Sequence, residues 1–200
     1  MEILAATNNP SKVARVRQLL AGQDVIVTTP AEAGIPPVEV EEGSDIFVNA
    51  ERKARAYFGM TKLPILGMDS AFVIPGTDLD PAKVRRNALE GRDESTLNIE
   101  EIAALMIAYY RKIAEAHGGR VPAYWQDVFA LLQPDGTLKK DEGRRPVILT
   151  PEVRGQTNPN LPLRSMYIVD ATGKYATEQS KEEELMELKP YQEALQRLLD

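Results

Sequence analysis

The sequence predicts an α/β fold, and three observations carry that reading. A strand, a polar turn, a helix and a second strand follow one another within the first 27 residues, which makes a βαβ unit. The second half is richer in strand-like runs, including a hairpin, so the sheet extends beyond that unit. The composition, 200 residues with 43% hydrophobic and 27% charged side chains, is that of one soluble domain or two small lobes. A chain of this length buries roughly 70% of its unfolded surface and needs no covalent staples.

The elements follow in order. Met1 to Thr7 holds the apolar run Ile3-Leu4-Ala5-Ala6, which suits a buried strand. It stops at Asn8-Asn9-Pro10-Ser11-Lys12, where Asn9 can cap a helix and Pro10 fits the first helical position. Val13, Val16, Leu19 and Leu20 follow at helical spacing, Gly22 offers a stop, and Val25-Ile26-Val27 is the next strand. Residues 30 to 44 hold three prolines, two glycines and a cluster of acids, and read as a loop. Ser44 is the expected cap of a second helix, with Ile46, Phe47, Ala50, Ala54, Tyr57 and Phe58 on its apolar side and Gly59 after it. A strand over Leu63 to Met68 is expected to end at Asp69-Ser70, before Ala71-Phe72-Val73-Ile74 resumes.

A long helix comes next. Asn98 with Glu101 forms a capping box, one face carries Ile99, Ile102, Met106, Tyr109 and Ile113, and Gly118-Gly119 ends it. Ala123 to Leu132, the turn Gln133-Pro134-Asp135-Gly136 and Thr137 to Lys140 make a hairpin. Val147 to Thr150 and Met166 to Val169 are further strands. The run Glu182-Glu183-Glu184 reads as a solvated turn or a helix start. A closing helix from about Pro190 carries Tyr191, Ala194, Leu195, Leu198 and Leu199.

Composition excludes several chemistries. There is no cysteine, so disulfides, thiolate nucleophiles and cysteine zinc sites are ruled out. The one histidine, His117, precedes Gly118-Gly119 at a helix end and rules out His-rich metal sites. The 24 basic and 30 acidic side chains give a formal charge of -6, which argues against a surface that coats nucleic acid. No apolar run approaches the ~20 residues needed to span a bilayer, and no signal-peptide pattern opens the chain. No membrane or nucleic-acid partner is expected, and the chain reads as cytoplasmic.

Three groups of residues could carry chemistry. The turn from Thr7 to Lys12 hands a strand over to a helix N-terminus, where unpaired N–H groups and the helix dipole attract phosphate. Lys12 adds a full charge, and Thr7 and Asn9 add neutral donors; a merely well-capped helix would look the same. The second helix sets Asp45, Asn49 and Arg52–Lys53 on a stripe opposite its apolar side, either a phosphate grip or an ordinary solvated face. Asp69-Ser70 follows a continuous apolar strand, at the carboxyl end where open α/β sheets place ligands. There an aspartate can hold Mg²⁺ or orient a water and a serine can bond phosphate, or the pair can simply cap a turn. Trp125 and Tyr124 read as core rather than as base-stacking platforms.

In combination these elements resemble the inosine triphosphate pyrophosphatase family. Ile3-Leu4-Ala5-Ala6-Thr7-Asn8-Asn9-Pro10-Ser11-Lys12 matches that family's Thr-x-Asn-x-x-Lys opening. Asn49-Ala50-Glu51-Arg52-Lys53-Ala54 is similar to its Asn-Ala-x-x-Lys-Ala helix, and Pro64 to Phe72 falls on its strand ending in acid-Asp-Ser-Gly-Leu. The spacing agrees over about the first 75 residues, and the order of elements can be followed to the C-terminus. The resemblance implies a single domain over residues 1–200: an elongated α/β fold of two lobes, with a central mixed sheet flanked by helices and a nucleotide cleft between the lobes. It implies Mg²⁺-dependent hydrolysis of a nucleoside triphosphate, one with an aberrant purine in the family, to the monophosphate and pyrophosphate, by a homodimer. In its light Thr7, Asn9, Lys12, Asn49, Lys53 and Ser70 would bind the nucleotide, and Asp69 would be the general base or metal-associated carboxylate. Asp45, or acids of the loop such as Glu41 and Glu42, would help Asp69 hold the metal.

The chain departs from that pattern at definite positions. Val48 and Met68 stand where the family has acids, and Ala71 where it has glycine. Leu163-Arg164-Ser165-Met166-Tyr167 replaces a Gly-Tyr-Asp-Pro segment, and Lys189-Pro190-Tyr191 replaces the Ser-His-Arg that helps read the base. Two functional readings follow: a divergent pyrophosphatase with altered base preference, or a nucleotide-binding or regulatory homologue that has lost hydrolysis.

Overall fold

The computed structural model describes residues 1–200. In chain order it contains β1 (Glu2–Ala5), α1 (Pro10–Leu19), β2 (Ile26–Thr28), α2 (Ile46–Ala56), β3 (Ile65–Val73), α3 (Pro81–Ala88), α4 (Ile99–Ala116), β4 (Val121–Leu132), β5 (Leu138–Leu149), β6 (Tyr167–Val169), β7 (Lys174–Tyr175), α5 (Lys181–Glu187) and α6 (Lys189–Leu199), with three short 3₁₀ turns. The seven strands form one sheet in the order β2-β1-β3-β4-β5-β6-β7. β1 runs parallel to β2 and to β3, whereas β5–β6 and β6–β7 are antiparallel, so the sheet is mixed.

The expected elements are present, with instructive shifts. β3 does not stop at Asp69-Ser70 but runs through to Val73, because the Asp69 charge is met by side-chain partners and the backbone need not turn to reach water. Ala5 pairs with Leu66, so the β3 residues beyond Leu66 lie past the end of β1. The N-cap of α2 is Asp45 rather than Ser44: its carboxylate accepts from the N–H groups of Phe47 and Val48. The expected strands at 137–140 and 147–150 are the two ends of the single strand β5. Helix α3, capped by Asp80 with Pro81 in its first turn, and the two-residue β7 are additional.

The capping box of α4 forms as the sequence predicts. Asn98 Oδ1 accepts from the Glu101 N–H at 2.9 Å, and Glu101 Oε2 accepts from the Asn98 N–H at 2.8 Å. Replacing Asn98 with alanine is expected to cost about 1 kcal/mol, read as a lower denaturant midpoint. An unchanged midpoint would mean the box does not hold this helix end. The acids 182–184 occupy the first turn of α5, whose own capping box joins Ser180 and Glu183.

The chain divides into two compact units: Met1–Ala71 with Gln126–Arg144 and Lys189–Asp200, and Phe72–Trp125 with Arg145–Leu188. In the first, Leu4, Ala54, Tyr57, Ile65 and Leu132 form a core against Ile35, Val38 and Leu63. Tyr191 of α6 packs its ring 6.4 Å from that of Phe129, and Gly143 leaves room for this helix, since a Cβ there would stand 2.7 Å from the Pro190 carbonyl oxygen. In the second unit Phe72 packs against Tyr110, Trp125 and Tyr167, so Trp125 serves the core. Arg145 and Glu187 form a buried ion pair there. No helix is long and apolar enough to cross a membrane.

Candidate functional site

Three elements of the first unit converge where β1 ends. β1 lies between β2 and β3, so the chain leaves it toward opposite edges of the sheet; in open α/β sheets ligands bind at such a point, beyond the strand's carboxyl end. The turn after β1 leads into α1. Thr7 Oγ1 accepts from the Asn9 N–H at 3.1 Å, and Asn9 Oδ1 accepts from the N–H groups of Ser11 and Lys12 at 3.0 and 3.3 Å. The cap uses only the oxygen of the Asn9 amide. Lys12, one turn in, has its ammonium 3.8 Å from Asp69 Oδ1.

Helix α2 supplies the tightest contacts. Asn49 and Lys53 are four residues apart and share a face, but not the solvated one: they are 2% and 8% exposed. Lys53 Nζ donates to Asp69 Oδ1 at 2.7 Å, and Asn49 Nδ2 donates to Asp69 Oδ2 at 2.9 Å. Close approach of α2 to β3 makes this possible, and Gly67 permits it: a Cβ at residue 67 would stand 2.0 Å from the Ala50 carbonyl oxygen. Asn49 also holds the preceding loop, accepting from the Gly43 N–H and donating to the Gly43 carbonyl, both at 2.8 Å. Its two amide hydrogens are thereby engaged, so Asn49 acts on the loop and on Asp69.

Glu42, on that loop, sits with Oε1 2.7 Å from Lys53 Nζ. One ammonium is thus shared by two carboxylates, and one carboxylate, that of Asp69, is faced by two ammoniums. Burial pulls the Lys53 pKa down, but the hydrogen bonds to Asp69 and Glu42 outweigh it, and the net shift is upward. Lys12 moves the other way: burial lowers its pKa and the neighbouring Lys53 charge adds to that, against the pull of Asp69 and Glu42.

The structure therefore brings together Lys12, Lys53, Asn49 and Asp69, with Thr7 and Asn9 shaping the adjoining helix terminus. Ser70 follows Asp69 along β3, and strand alternation puts it on the opposite face. Asp45 is engaged as the cap of α2, and Glu42 is the acid joined to Asp69 through Lys53.

Glu42 and Asp69 form a pair of hard oxygen donors converging on one cation, which suits Mg²⁺. That ion keeps several waters and takes one or two carboxylates plus substrate phosphates. No group of three or more histidine, cysteine or acidic side chains assembles into an all-protein cage.

Comparison with known proteins gives a consistent picture. A model of the Ham1 family matches residues 3–200. A dITP/XTP pyrophosphatase of Anaeromyxobacter dehalogenans (strain 2CP-C) is 31% identical over 158 residues, covering 69% of this chain and 67% of that protein. A dITP/XTP pyrophosphatase of Legionella pneumophila (strain Lens) is 31% identical over 134 residues, 66% of this chain and 63% of that protein. The alignments thus span about two thirds of these curated relatives. A HAM1 protein from Coxiella burnetii has a similar structure, with a TM-score of 0.77 at 24% identity over 100% of this chain and 98% of that one. The Staphylococcus aureus Ham1 protein gives a TM-score of 0.73 at 20% identity over the same shares. At these identities the structural likeness speaks for the fold.

Proposed function

The chain belongs to the Ham1 family, and from that premise we propose that it hydrolyses a nucleoside triphosphate to the monophosphate and pyrophosphate, with Mg²⁺. The observation that carries the proposal is the pair of ammoniums, Lys12 and Lys53, placed on one carboxylate beside the N-terminus of α1. Two fixed cations and a helix terminus suit the phosphate chain, and preorganised charge is the largest lever on phosphoryl chemistry. Lys53 would turn from its carboxylates to phosphate oxygens, and Lys12 would neutralise a second phosphate. Asp69 keeps capacity for a water: a carboxylate offers about four acceptor sites, and hydrogen bonds at 2.7 and 2.9 Å use two of them. It would accept the proton as the water oxygen attacks the α-phosphorus and the bridging oxygen leaves with pyrophosphate. Asn49 holds the carboxylate in place. Mg²⁺ would be held by Asp69 and Glu42 and would supply charge neutralisation on the phosphate oxygens.

Phosphorus NMR of the products tests this. Incubation with dITP, XTP and the common triphosphates in Mg²⁺ is expected to give pyrophosphate and a monophosphate from at least one of them. Orthophosphate with a diphosphate would overturn the assignment. Binding without release would instead support the non-hydrolysing homologue, a reading favoured by Val48 and Met68 standing where the resemblance expects acids. The homodimer is likewise proposed, and a solution mass of 22.2 kDa by light scattering, the mass of one chain, would contradict it.

A further inference from the structure

The two carboxylates on Lys53 differ in kind. Asp69 is buried on a strand, whereas Glu42 is half exposed on a loop, its side chain 51% accessible. The neighbours of Glu42 hold it there. Gly43 exchanges two hydrogen bonds with the Asn49 side chain, and the Glu41 carbonyl accepts from Arg52 at 3.1 Å. Lys12 and Lys53 against Asp69 and Glu42 sum to no net charge, so without ligand both ammoniums already have carboxylate partners.

A polyphosphate arriving alone must take Lys53 from Glu42 and leave that carboxylate facing phosphate oxygens, a repulsive juxtaposition. A polyphosphate arriving with a divalent cation brings the charge that gives Glu42 and Asp69 a new partner. We infer that Glu42 is a specificity-determining residue: by occupying Lys53 it makes the site select a metal-complexed polyphosphate over the free polyanion. This rests on the reading of the site as one for a triphosphate. Glu42 thus excludes the free anion from Lys53 as well as contributing to the metal.

Calorimetry with inorganic triphosphate, in Mg²⁺ or in EDTA, tests the inference on the wild type, Glu42→Gln and Glu39→Gln. Glu39 is an exposed acid of the same loop, so its variant removes equal charge without touching Lys53. The wild type is expected to bind the magnesium complex at least about tenfold more tightly than the free anion. Glu42→Gln is expected to bind the free anion about tenfold more tightly than wild type and to lose most of that preference, while Glu39→Gln stays within about twofold of wild type. A Glu42→Gln variant that binds the free anion no better than wild type overturns the inference, as does an equal gain in Glu39→Gln. A wild type that binds neither form overturns the triphosphate reading together with this one. Binding of the magnesium complex with no effect at Glu42 overturns this one alone.

Discussion

Replacing Lys53 with methionine is expected to lower pyrophosphate release by about a hundred- to a thousandfold, the usual loss when one fixed donor to developing charge is removed. The substitution keeps an unbranched apolar stem but deletes the one group that touches both Asp69 and Glu42. It also leaves the buried Asp69 with Asn49 at 2.9 Å and Lys12 at 3.8 Å. Breaking a buried pair typically costs about 3–5 kcal/mol, and the lower end applies here because a second ammonium remains. Lys12→Met separates the two effects: Lys12 is about one-third exposed and farther from Asp69, so release falls with little change in melting temperature. Release at the wild-type rate from a folded Lys53→Met protein would remove Lys53 from the mechanism.

The largest structural effect is expected at Gly67. A single methyl there would lie 2.0 Å from the Ala50 carbonyl oxygen and 2.8 Å from the Ala54 nitrogen, both backbone atoms of α2. No rotamer relieves that contact, so the helix must shift relative to β3. We expect Gly67→Ala to cost about 3 kcal/mol or more, at the upper end for overpacking, which for a chain of this size lowers the melting temperature by about 6–12 °C. Activity falls with it, because α2 carries Asn49 and Lys53 while β3 carries Asp69. Gly43→Ala is the comparison: the same chemical change meets nothing within 4 Å and leaves the melting temperature unchanged. Equal melting temperatures for Gly67→Ala and wild type would mean that α2 and β3 do not depend on this contact.

Local chemistry made much of the fold legible from residues alone. Asn9-Pro10 and Asn98 with Glu101 are cap signals that act within a few residues, and both helices begin where those signals stand. The break expected at Asp69 did not occur, because what decides it is Lys53, sixteen residues away in sequence. Strand β5 shows the same limit of local signals. Gly143 and Pro146 look like interruptions locally, yet at Gly143 the tertiary fold uses the missing side chain to admit α6. Helix α3 has its signal in Asp80-Pro81, an N-cap followed by proline.

The site divides in the same way. Lys12, Asn49, Lys53 and Asp69 come together, as the resemblance implied, but Asn49 and Lys53 lie on the buried side of α2. Gly67 in the middle of an apolar strand was the available sign of close backbone approach, and it explains why that face is dry. That Glu42, and not Asp45, meets Lys53 is not legible from spacing. Asp45 is taken by its own helix N-terminus, and the Asn49 side chain fixes the loop beside Glu42.

A crystal structure with Mg²⁺ and a non-hydrolysable nucleoside triphosphate shows directly whether Lys12 and Lys53 hold the phosphate chain. Phosphate oxygens are expected on the ammoniums of Lys53 and Lys12, with the metal ion on Asp69 and Glu42. A triphosphate bound elsewhere, with Lys53 still clasped between Glu42 and Asp69, would contradict this.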